Sequence, residues 1–451
     1  MREILPKNLI RLAKACPSPL YLVGGSVRDF LAGFVSNAPD LDICSPMPAE
    51  TFQSVALACG FTVCSVFKNT GTVKLRDCDG NDYEYTCFRS DKYVRGTHVP
   101  VEIFFTDDIR LDARRRDFTC NAVYYDIAAD EFCDPLDGKT AIAEKRLTTV
   151  DTADKVFGED GLRLLRLARQ AAQLGFHPDE QCLAGAQKNA RLILDISPER
   201  IFAELTALLF ADEKYGNNGG AYHGFSILRD TEVLDYILPE LALGNGMAQR
   251  ADFHAYDVLE HTLRAVKYAA PEVRFAALLH DIGKPFCMRR DGNFYAHPNE
   301  GERIAKEILL RLKAPKRLLA SVCELIKWHM YDYDCKTSEN KLRRFFVAHA
   351  ALLPDLILLK QADFSACTDD TSVAPTCQKW QTLLEKMQEE GVPFSLKALA
   401  VNGKDILNLG IPAPHVAAVL NALLEHCAIQ PQDNEKKRLC RLAIGFAKQI
   451  Q

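Results

Sequence analysis

Gly24-Gly25-Ser26-Val27-Arg28-Asp29, followed by Asp40-Leu41-Asp42, is the stretch that decides the fold of the N-terminal part of this 451-residue chain. Tyr21-Leu22-Val23 is a short apolar run that Gly24-Gly25 breaks. A helix from about Val27 to Leu31 then opens with free backbone N–H groups, which suit phosphate oxygens. Leu41-Asp42-Ile43-Cys44 reads as the next strand. Residues i and i+2 of a strand share a face, so Asp40 and Asp42 converge on one point. Paired hard oxygen ligands are what Mg²⁺ on nucleotide phosphates needs, since that ion takes few protein ligands. A Gly-Gly turn or an Asp-x-Asp alone is usually a solvated loop; the strand–turn–helix–strand order is what gives the pair weight.

The bulk properties describe an ordinary multidomain globular protein: 48% hydrophobic, 25% charged, net charge −5. That charge excludes a uniformly basic nucleic-acid coat, but not local basic surfaces such as 114–116, 163–169 and 313–317. The 16 cysteines contain no Cys-x-x-Cys, so they read as reduced thiols of a cytoplasmic protein. No run approaches the roughly 18 apolar residues of a membrane span, and a signal-peptide layout is missing from the N-terminus. No membrane partner is expected. Oligomeric state is not legible.

Short β-like runs alternate with turns across residues 1–148, and long helical periods follow. The expected class is α+β: a small mixed-sheet head, then an elongated all-helical neck, body and tail. The divisions read as 1–148 head, 149–220 neck, 221–370 histidine-containing body and 371–451 tail. Within the head, Arg114-Arg115-Arg116-Asp117 concentrates cations that an anion such as a triphosphate would neutralise through charge-assisted contacts. Asp160, Arg163 and Arg166, spaced i, i+3 and i+6, read as one face of a helix that runs through Arg169. That face is either an exposed salt-bridged stripe or a set of donors and acceptors for the edge of a base.

Five stretches occur in order: Gly-Gly-Ser-Val-Arg-Asp from 24, Asp-Leu-Asp from 40, Arg-Arg-Arg-Asp-Phe-Thr-Cys-Asn-Ala from 114, Gly-Glu-Asp-Gly-Leu-Arg-Leu-Leu-Arg from 158, and Ser-Pro-Glu-Arg-Ile-Phe-Ala-Glu-Leu from 197. On these the chain resembles, over essentially its whole length, the bacterial and eukaryotic (class II) CCA-adding tRNA nucleotidyltransferases. The resemblance implies template-independent addition of C, C and A to the tRNA 3′ end from CTP and ATP by two-metal nucleotidyl transfer. It implies that Gly25 and Arg28 hold the triphosphate and that Asp40 and Asp42 hold two Mg²⁺. Arg115 and Arg116 would serve phosphate and ribose, Asp160 and Arg163 the base edge, and Arg166 and Arg169 the pocket wall. Glu84 is a candidate third carboxylate. The loop Asp91-Lys92-Tyr93-Val94-Arg95-Gly96-Thr97-His98-Val99-Pro100 departs from the family's usual Asp-x-Arg-x-Pro-like form. That loop is linked to switching from C to A, so CC-only or A-only addition stays open. Bacterial poly(A) polymerases share the head motifs and are a further alternative.

His261 precedes the pair His280-Asp281, and Asp363 follows. This order is the pattern of an HD-type phosphohydrolase. By that resemblance His261, His280, Asp281 and Asp363 are the ligands of a divalent ion, and the mix suits Mn²⁺, Ni²⁺ or Mg²⁺. Lys284, His297 and His329 would face a phosphate or a second ion. The segment from Leu399 to Pro412 is similar to the tRNA-gripping tail of the low-GC Gram-positive enzymes. Three activities compete: nucleotidyl transfer by the head, phosphohydrolysis by the HD body with the head as a sensor, and non-catalytic RNA binding. The head keeps its carboxylates and Arg28, which favours the first.

Overall fold

The computed structural model describes every residue except 35–40, 95–99, 253 and 451, and the side chain of Ile450 is also left aside. The chain forms two compact units, Met1–Ala242 and Leu243–Gln451.

The first unit is built on seven strands: β1 (Tyr21–Val23), β2 (Leu41–Ser45), β3 (Thr62–Phe67), β4 (Thr72–Arg76), β5 (Asp82–Cys87), β8 (Tyr124–Asp126) and β9 (Glu131–Cys133). Strands β6 (Arg89–Lys92) and β7 (Glu102–Phe105) pair as a separate hairpin. The sheet order is β3-β4-β5-β2-β1-β8-β9. It is mixed, because β2 and β5 run parallel while β1 pairs antiparallel with both β2 and β8. Alternation fixes its faces: Tyr83, Tyr85 and Cys87 of β5 are buried, whereas Asp82, Glu84 and Thr86 are not. Helix Ala49–Ala58 packs on this buried face, with Phe52 stacked on Tyr85 at a ring-centroid distance of 3.7 Å.

A core of Val23, Cys44, Phe88, Ala113, Ala122, Tyr124, Val150 and Val156 joins the sheet to helix Ala153–Glu159, the first of the neck. The helix expected through Asp160 is in fact two helices. Asp160 is extended (φ −143°, ψ 105°) at the C-terminus of Ala153–Glu159, and a new helix runs Leu162–Leu174. The Asp160 carboxylate accepts the Leu162 amide at 2.9 Å. A short acidic side chain thus serves better at the positive end of a new helix than in the middle of a continuous one. Asp160 and Arg163 therefore do not share a helical face, although Arg163 and Arg166 do. Gly161 is required there, because a Cβ would lie 2.4 Å from the Leu192 carbonyl oxygen.

Helix Gly220–Asp230 lies against Leu162–Leu174, where a Cβ on Gly220 would meet the Ala172 oxygen at 2.3 Å. Packing thus groups the segment after Gly220 with the first unit.

The second unit is helical among its described residues. Helices Val258–Tyr268, Arg274–Leu279, Lys316–Trp328 and Leu353–Thr368 surround the histidines. Helix Pro375–Glu389 docks there through the fully buried Trp380. In the tail, Asn402 caps Gly403–Asn408 with a reciprocal box: its side chain accepts from the Lys404 and Asp405 amides, and Asp405 accepts from the Asn402 amide. No described helix is long and apolar enough to cross a membrane.

Candidate active site and candidate metal centre

In the first unit, Gly24 sits at φ +82°, a conformation glycine adopts without strain. A Cβ there would lie 3.4 Å from Asp42 Oδ2 and 4.0 Å from the Arg116 guanidinium. The turn, one of the two predicted head carboxylates and one predicted phosphate arginine thus meet at one point. Asp40, the other carboxylate, lies outside the described residues. The Ser26 hydroxyl oxygen, next in the turn, is buried with no hydrogen-bond partner among the described residues, which fits an external acceptor such as a phosphate. Glu84 is opposite Asp42 in register, but it forms an ion pair with Lys74 at 3.0 Å.

Arg115 and Arg116 are aimed by Asp112, a residue with no role in the sequence reading. This carboxylate is fully buried and accepts Arg115 Nε at 2.8 Å, Arg116 Nη2 at 3.3 Å and the Tyr124 hydroxyl at 2.7 Å. Burial pushes its pKa up, but the two arginines and the tyrosine outweigh that and hold it down at about 2. Asp117 has the same role for the neck arginine. It accepts the Phe118 amide and the Asn121 side chain, both at 2.8 Å, Gln170 at 3.1 Å and Arg166 Nε at 2.9 Å. Despite burial, Arg166 and these donors keep it well below the usual carboxylate range.

Arg28, expected on the triphosphate, points elsewhere. Buried beneath the turn, it donates to Asp29 (2.6 Å), Asn121 (2.8 Å), Gln170 (3.4 Å) and the Tyr215 hydroxyl (3.2 Å). It braces sheet to neck, and Gly25 packs over it, an added Cβ coming 3.5 Å from its Nη2. Arg163 is likewise buried and spends its guanidinium on the Val156 carbonyl (3.0 Å), Glu159 (3.2 Å) and the Arg115 carbonyl (2.7 Å). Arg169 is held by Glu204 at 2.6 Å and Gln173 at 2.9 Å. Of the departing loop, Arg95 to Val99 lie outside the described residues. At its start, Asp91 pairs with Arg89 at 3.0 Å, and Arg163 lies 5.8 Å from the centre of the Tyr93 ring.

In the second unit, His280 sits at the C-terminus of Arg274–Leu279 and His261 on Val258–Tyr268, both fully buried. His261 Nε2 is 3.0 Å from Asp363 Oδ1 and 3.4 Å from Asp281 Oδ2. His280 Nε2 is 3.2 Å from Asp281 Oδ2. All four predicted ligands come together. On the other side of the same carboxylate, His297 Nε2 is 3.3 Å and His329 Nε2 is 3.8 Å from Asp281 Oδ1. Lys284 reaches Asp281 Oδ2 at 2.7 Å.

The tautomers explain why these groups want a cation. His280, His297 and His329 each place Nδ1 against a backbone carbonyl, of Ala277 (2.8 Å), Phe294 (2.6 Å) and Ile326 (2.6 Å). Nδ1–H then donates and Nε2 carries the lone pair. Two such nitrogens, of His297 and His329, face each other at 3.1 Å. Lone pairs and carboxylates packed this closely repel unless a positive charge lies among them. Burial pulls the His280 pKa down, but Asp281 and Asp363 push it up to about 10. The donor set, mixed imidazole and carboxylate, fits a divalent ion of borderline to hard character.

Comparison with known proteins assigns the segments that carry both sites to domain families. Residues 20–148 match the poly A polymerase head domain, 175–243 the probable RNA- and SrmB-binding site of polymerase A, and 254–363 the HD domain. An A-adding tRNA nucleotidyltransferase of Deinococcus radiodurans is 30% identical over 435 residues, 92% of each chain. A CC-adding tRNA nucleotidyltransferase of Thermus thermophilus is 30% identical over 91% of this chain and 89% of its own. The chain belongs to the CCA-adding class of tRNA nucleotidyltransferases, with an HD domain. A CCA-adding enzyme of Geobacillus thermodenitrificans, 29% identical over 93% of this chain and 91% of its own, is a further relative. The fold is that of the Bacillus stearothermophilus CCA-adding enzyme solved with CTP, at a TM-score of 0.68 and 23% identity over 99% of both chains. As a member of this class the protein is a nucleotidyltransferase whose head and HD domain imply dependence on divalent metal.

Within that family frame, the residues missed in the sequence are Asp112, Asp117, Asn121, Gln170 and Tyr215. Each is a polar side chain that aims or braces an arginine. Asp112, Asp117 and Asn121 lie in or beside the quoted arginine stretch, so a count of carboxylates against arginines could have found the two aspartates. Gln170 and Tyr215 left no such signal.

Proposed function

We propose that this nucleotidyltransferase adds C, C and A in turn to the 3′ end of tRNA from CTP and ATP. The observation that carries the reading is the meeting of the Gly24 turn, Asp42 and Arg116 at one point, inside a chain with a relative, matched over 93% of this chain, that is named a CCA-adding enzyme. Asp40 and Asp42 would hold two Mg²⁺. These ions, when bound, supply charge neutralisation and an acidified 3′-hydroxyl at the α-phosphate. The chain's own contribution is positional. The turn and Ser26 receive phosphate oxygens, Arg115 and Arg116 neutralise the triphosphate from an Asp112 anchor, Arg163 fixes the main chain of Arg115, and the half-buried Asp160 is the neck residue offered to a base edge. Arg28 and Arg166 keep sheet and neck in register, and Arg169 ties two neck helices together through Glu204. The 16 free thiols support a reducing, cytoplasmic setting.

A second reading, addition of CC only or of A only, is favoured by one observation: two full-length relatives are named as partial adders. Incubating the protein with Mg²⁺ and a tRNA transcript lacking its 3′ CCA, with CTP, ATP or both, separates them. Three nucleotides added only with both substrates is the expected result. A stop after two C residues, or A added only to a CC-ended transcript, would replace it with the partial reading, and a long A tail with poly(A) polymerase. Asp42→Ala should abolish incorporation with folding unchanged.

For the HD body, the reading is a divalent-cation site on His261, His280, Asp281 and Asp363. His297, His329 and the far oxygen of Asp281 are placed for a second ion, and Lys284 for a phosphate. Mn²⁺, Ni²⁺ and Mg²⁺ all suit this set. Hydrolysis of phosphodiesters, such as a 2′,3′-cyclic phosphate at a damaged tRNA end, is the chemistry such a site supports. Metal-dependent release from that substrate, lost in His280→Ala, is the test; no release at all would leave the site a metal-binding tRNA body.

A further inference from the structure

His261 departs from the other three histidines of the HD cluster. They anchor Nδ1 on a backbone carbonyl, whereas His261 Nδ1 is buried and has no hydrogen-bond partner among the described residues, on a side chain that is fully buried. Its Nε2 faces Asp363 Oδ1 at 3.0 Å, a distance at which Nε2–H donates to the carboxylate. In that tautomer the lone pair belongs to Nδ1. Carboxylate to imidazole N–H, with the opposite nitrogen left as donor, is the arrangement in which carboxylates hold metal-ligating histidines.

Two further donors lie next to this ring. His254 packs edge-on against it, with centroids 4.8 Å apart and an interplanar angle of 86°. His254 Nδ1 is also buried and unpartnered among the described residues. Cys367 is one helical turn beyond Asp363, its thiol 3.4 Å from the Asp363 carbonyl oxygen. The backbone locks these segments together, since the Ala255 amide donates to the Cys367 carbonyl at 2.9 Å. One donor atom from each of His254, His261 and Cys367 falls within 4.8 Å of the others. Tetrahedral coordination at Zn–S and Zn–N bond lengths needs donors about 3.5 Å apart, so small side-chain rotations suffice.

We propose that His254, His261 and Cys367 form a second, thiolate-containing cation site, which takes a thiophilic divalent ion such as Zn²⁺ or Co²⁺. Two imidazoles and a sulfur select for such ions over Mg²⁺, which prefers oxygen. His254 and Cys367 are both only partly buried, which gives the ion a way in. A neutral imidazole has one lone pair, so His261 serves either this site through Nδ1 or the His280–Asp281–Asp363 set through Nε2. The two positions are alternatives set by its tautomer. Binding at the thiolate position releases the Cys367 proton.

The test is anaerobic titration of the reduced, chelator-treated full-length protein with Co²⁺, read by absorption and elemental analysis. The expected result is a near-ultraviolet sulfur-to-cobalt charge-transfer band. That band should persist in His280→Ala and be lost in Cys367→Ser, with thermal melting checked for each variant. Exposed Cys64 and Cys78 would give a band that Cys367→Ser leaves intact, and that outcome overturns the proposal. Co²⁺ bound without any sulfur band also overturns it, while leaving the HD-site reading standing. No bound Co²⁺ at all would remove both. Should Cys367→Ser fail to fold, protection of Cys367 from alkylation by Zn²⁺ in the unaltered protein, mapped by mass spectrometry, decides the matter; equal labelling with and without Zn²⁺ would sink the idea.

Discussion

Arg163 donates a 2.7 Å hydrogen bond to the main-chain carbonyl of Arg115. The residue expected to read the base edge therefore holds the backbone from which a phosphate-facing arginine projects. Because the same guanidinium also engages the Val156 carbonyl at 3.0 Å and Glu159 at 3.2 Å, it is a fork that a lysine cannot replace. Loss of one charged hydrogen bond is worth about 1.5–3 kcal/mol, roughly 10- to 100-fold in rate. Arg163→Lys should lower kcat/KM for CTP and ATP together by that factor. A loss confined to one nucleotide would show instead that Arg163 acts on the base itself.

Asp112 sets the acid limit of the head. Its carboxyl lies at about 2 in the folded protein, below its ordinary value of 3.8, because Arg115, Arg116 and Tyr124 overcome the cost of burial. A depressed carboxylate contributes stability above its unfolded pKa and loses it as pH falls through the folded one. The contribution, about 2 kcal/mol, is full above pH ~4 and gone near pH ~2. Asp112→Asn should melt lower at pH 7 and flatten the Tm-versus-pH curve between those limits. A variant curve parallel to the parent's across that window would remove the assignment.

Much of this architecture is legible in the sequence, for reasons the residues make plain. The strands declare themselves wherever one face is buried and the other is wet, as in Tyr83, Tyr85 and Cys87 against Asp82, Glu84 and Thr86. The HD cluster is readable because the adjacent His280-Asp281 pair, with His261 before it and Asp363 after it, resembles the HD pattern. The break at Asp160 is not, since periodicity across 159–169 is helical and only the capping bond to Leu162 interrupts it. Nor is the inward turn of Arg28. Its partners Asn121, Gln170 and Tyr215 come from segments that the sequence alone does not bring together.

That brace around Arg28 makes a prediction of its own. The Tyr215 hydroxyl donates to Asp29 Oδ2 at 2.5 Å and accepts from Arg28 at 3.2 Å. Tyr215→Phe keeps the ring, which packs on Phe34 with centroids 4.6 Å apart, but leaves part of a buried charged pair unsatisfied. Such a loss costs about 1–3 kcal/mol. The expected outcome is a lower Tm with KM for both nucleotides essentially unchanged, since the tyrosine is placed as a brace. A normal Tm with a raised KM would relocate Tyr215 to the substrate.

Asp281 separates two histidine sets, with His261 and His280 on Oδ2 and His297 and His329 on Oδ1. A cation that binds only the folded state stabilises it by linkage, by about 2.7 kcal/mol at a concentration a hundred times Kd. Mn²⁺ added to chelator-treated protein should therefore raise the melting temperature of the second unit. The rise should disappear in Asp281→Asn, because the amide presents at most one oxygen and can no longer serve both sets. Nucleotide incorporation by the head should be unaffected by that substitution when Mg²⁺ is supplied. An undiminished metal-induced rise in Asp281→Asn would mean that the histidines alone suffice and that the carboxylate is a partner of Lys284, 2.7 Å away, and not of the ion.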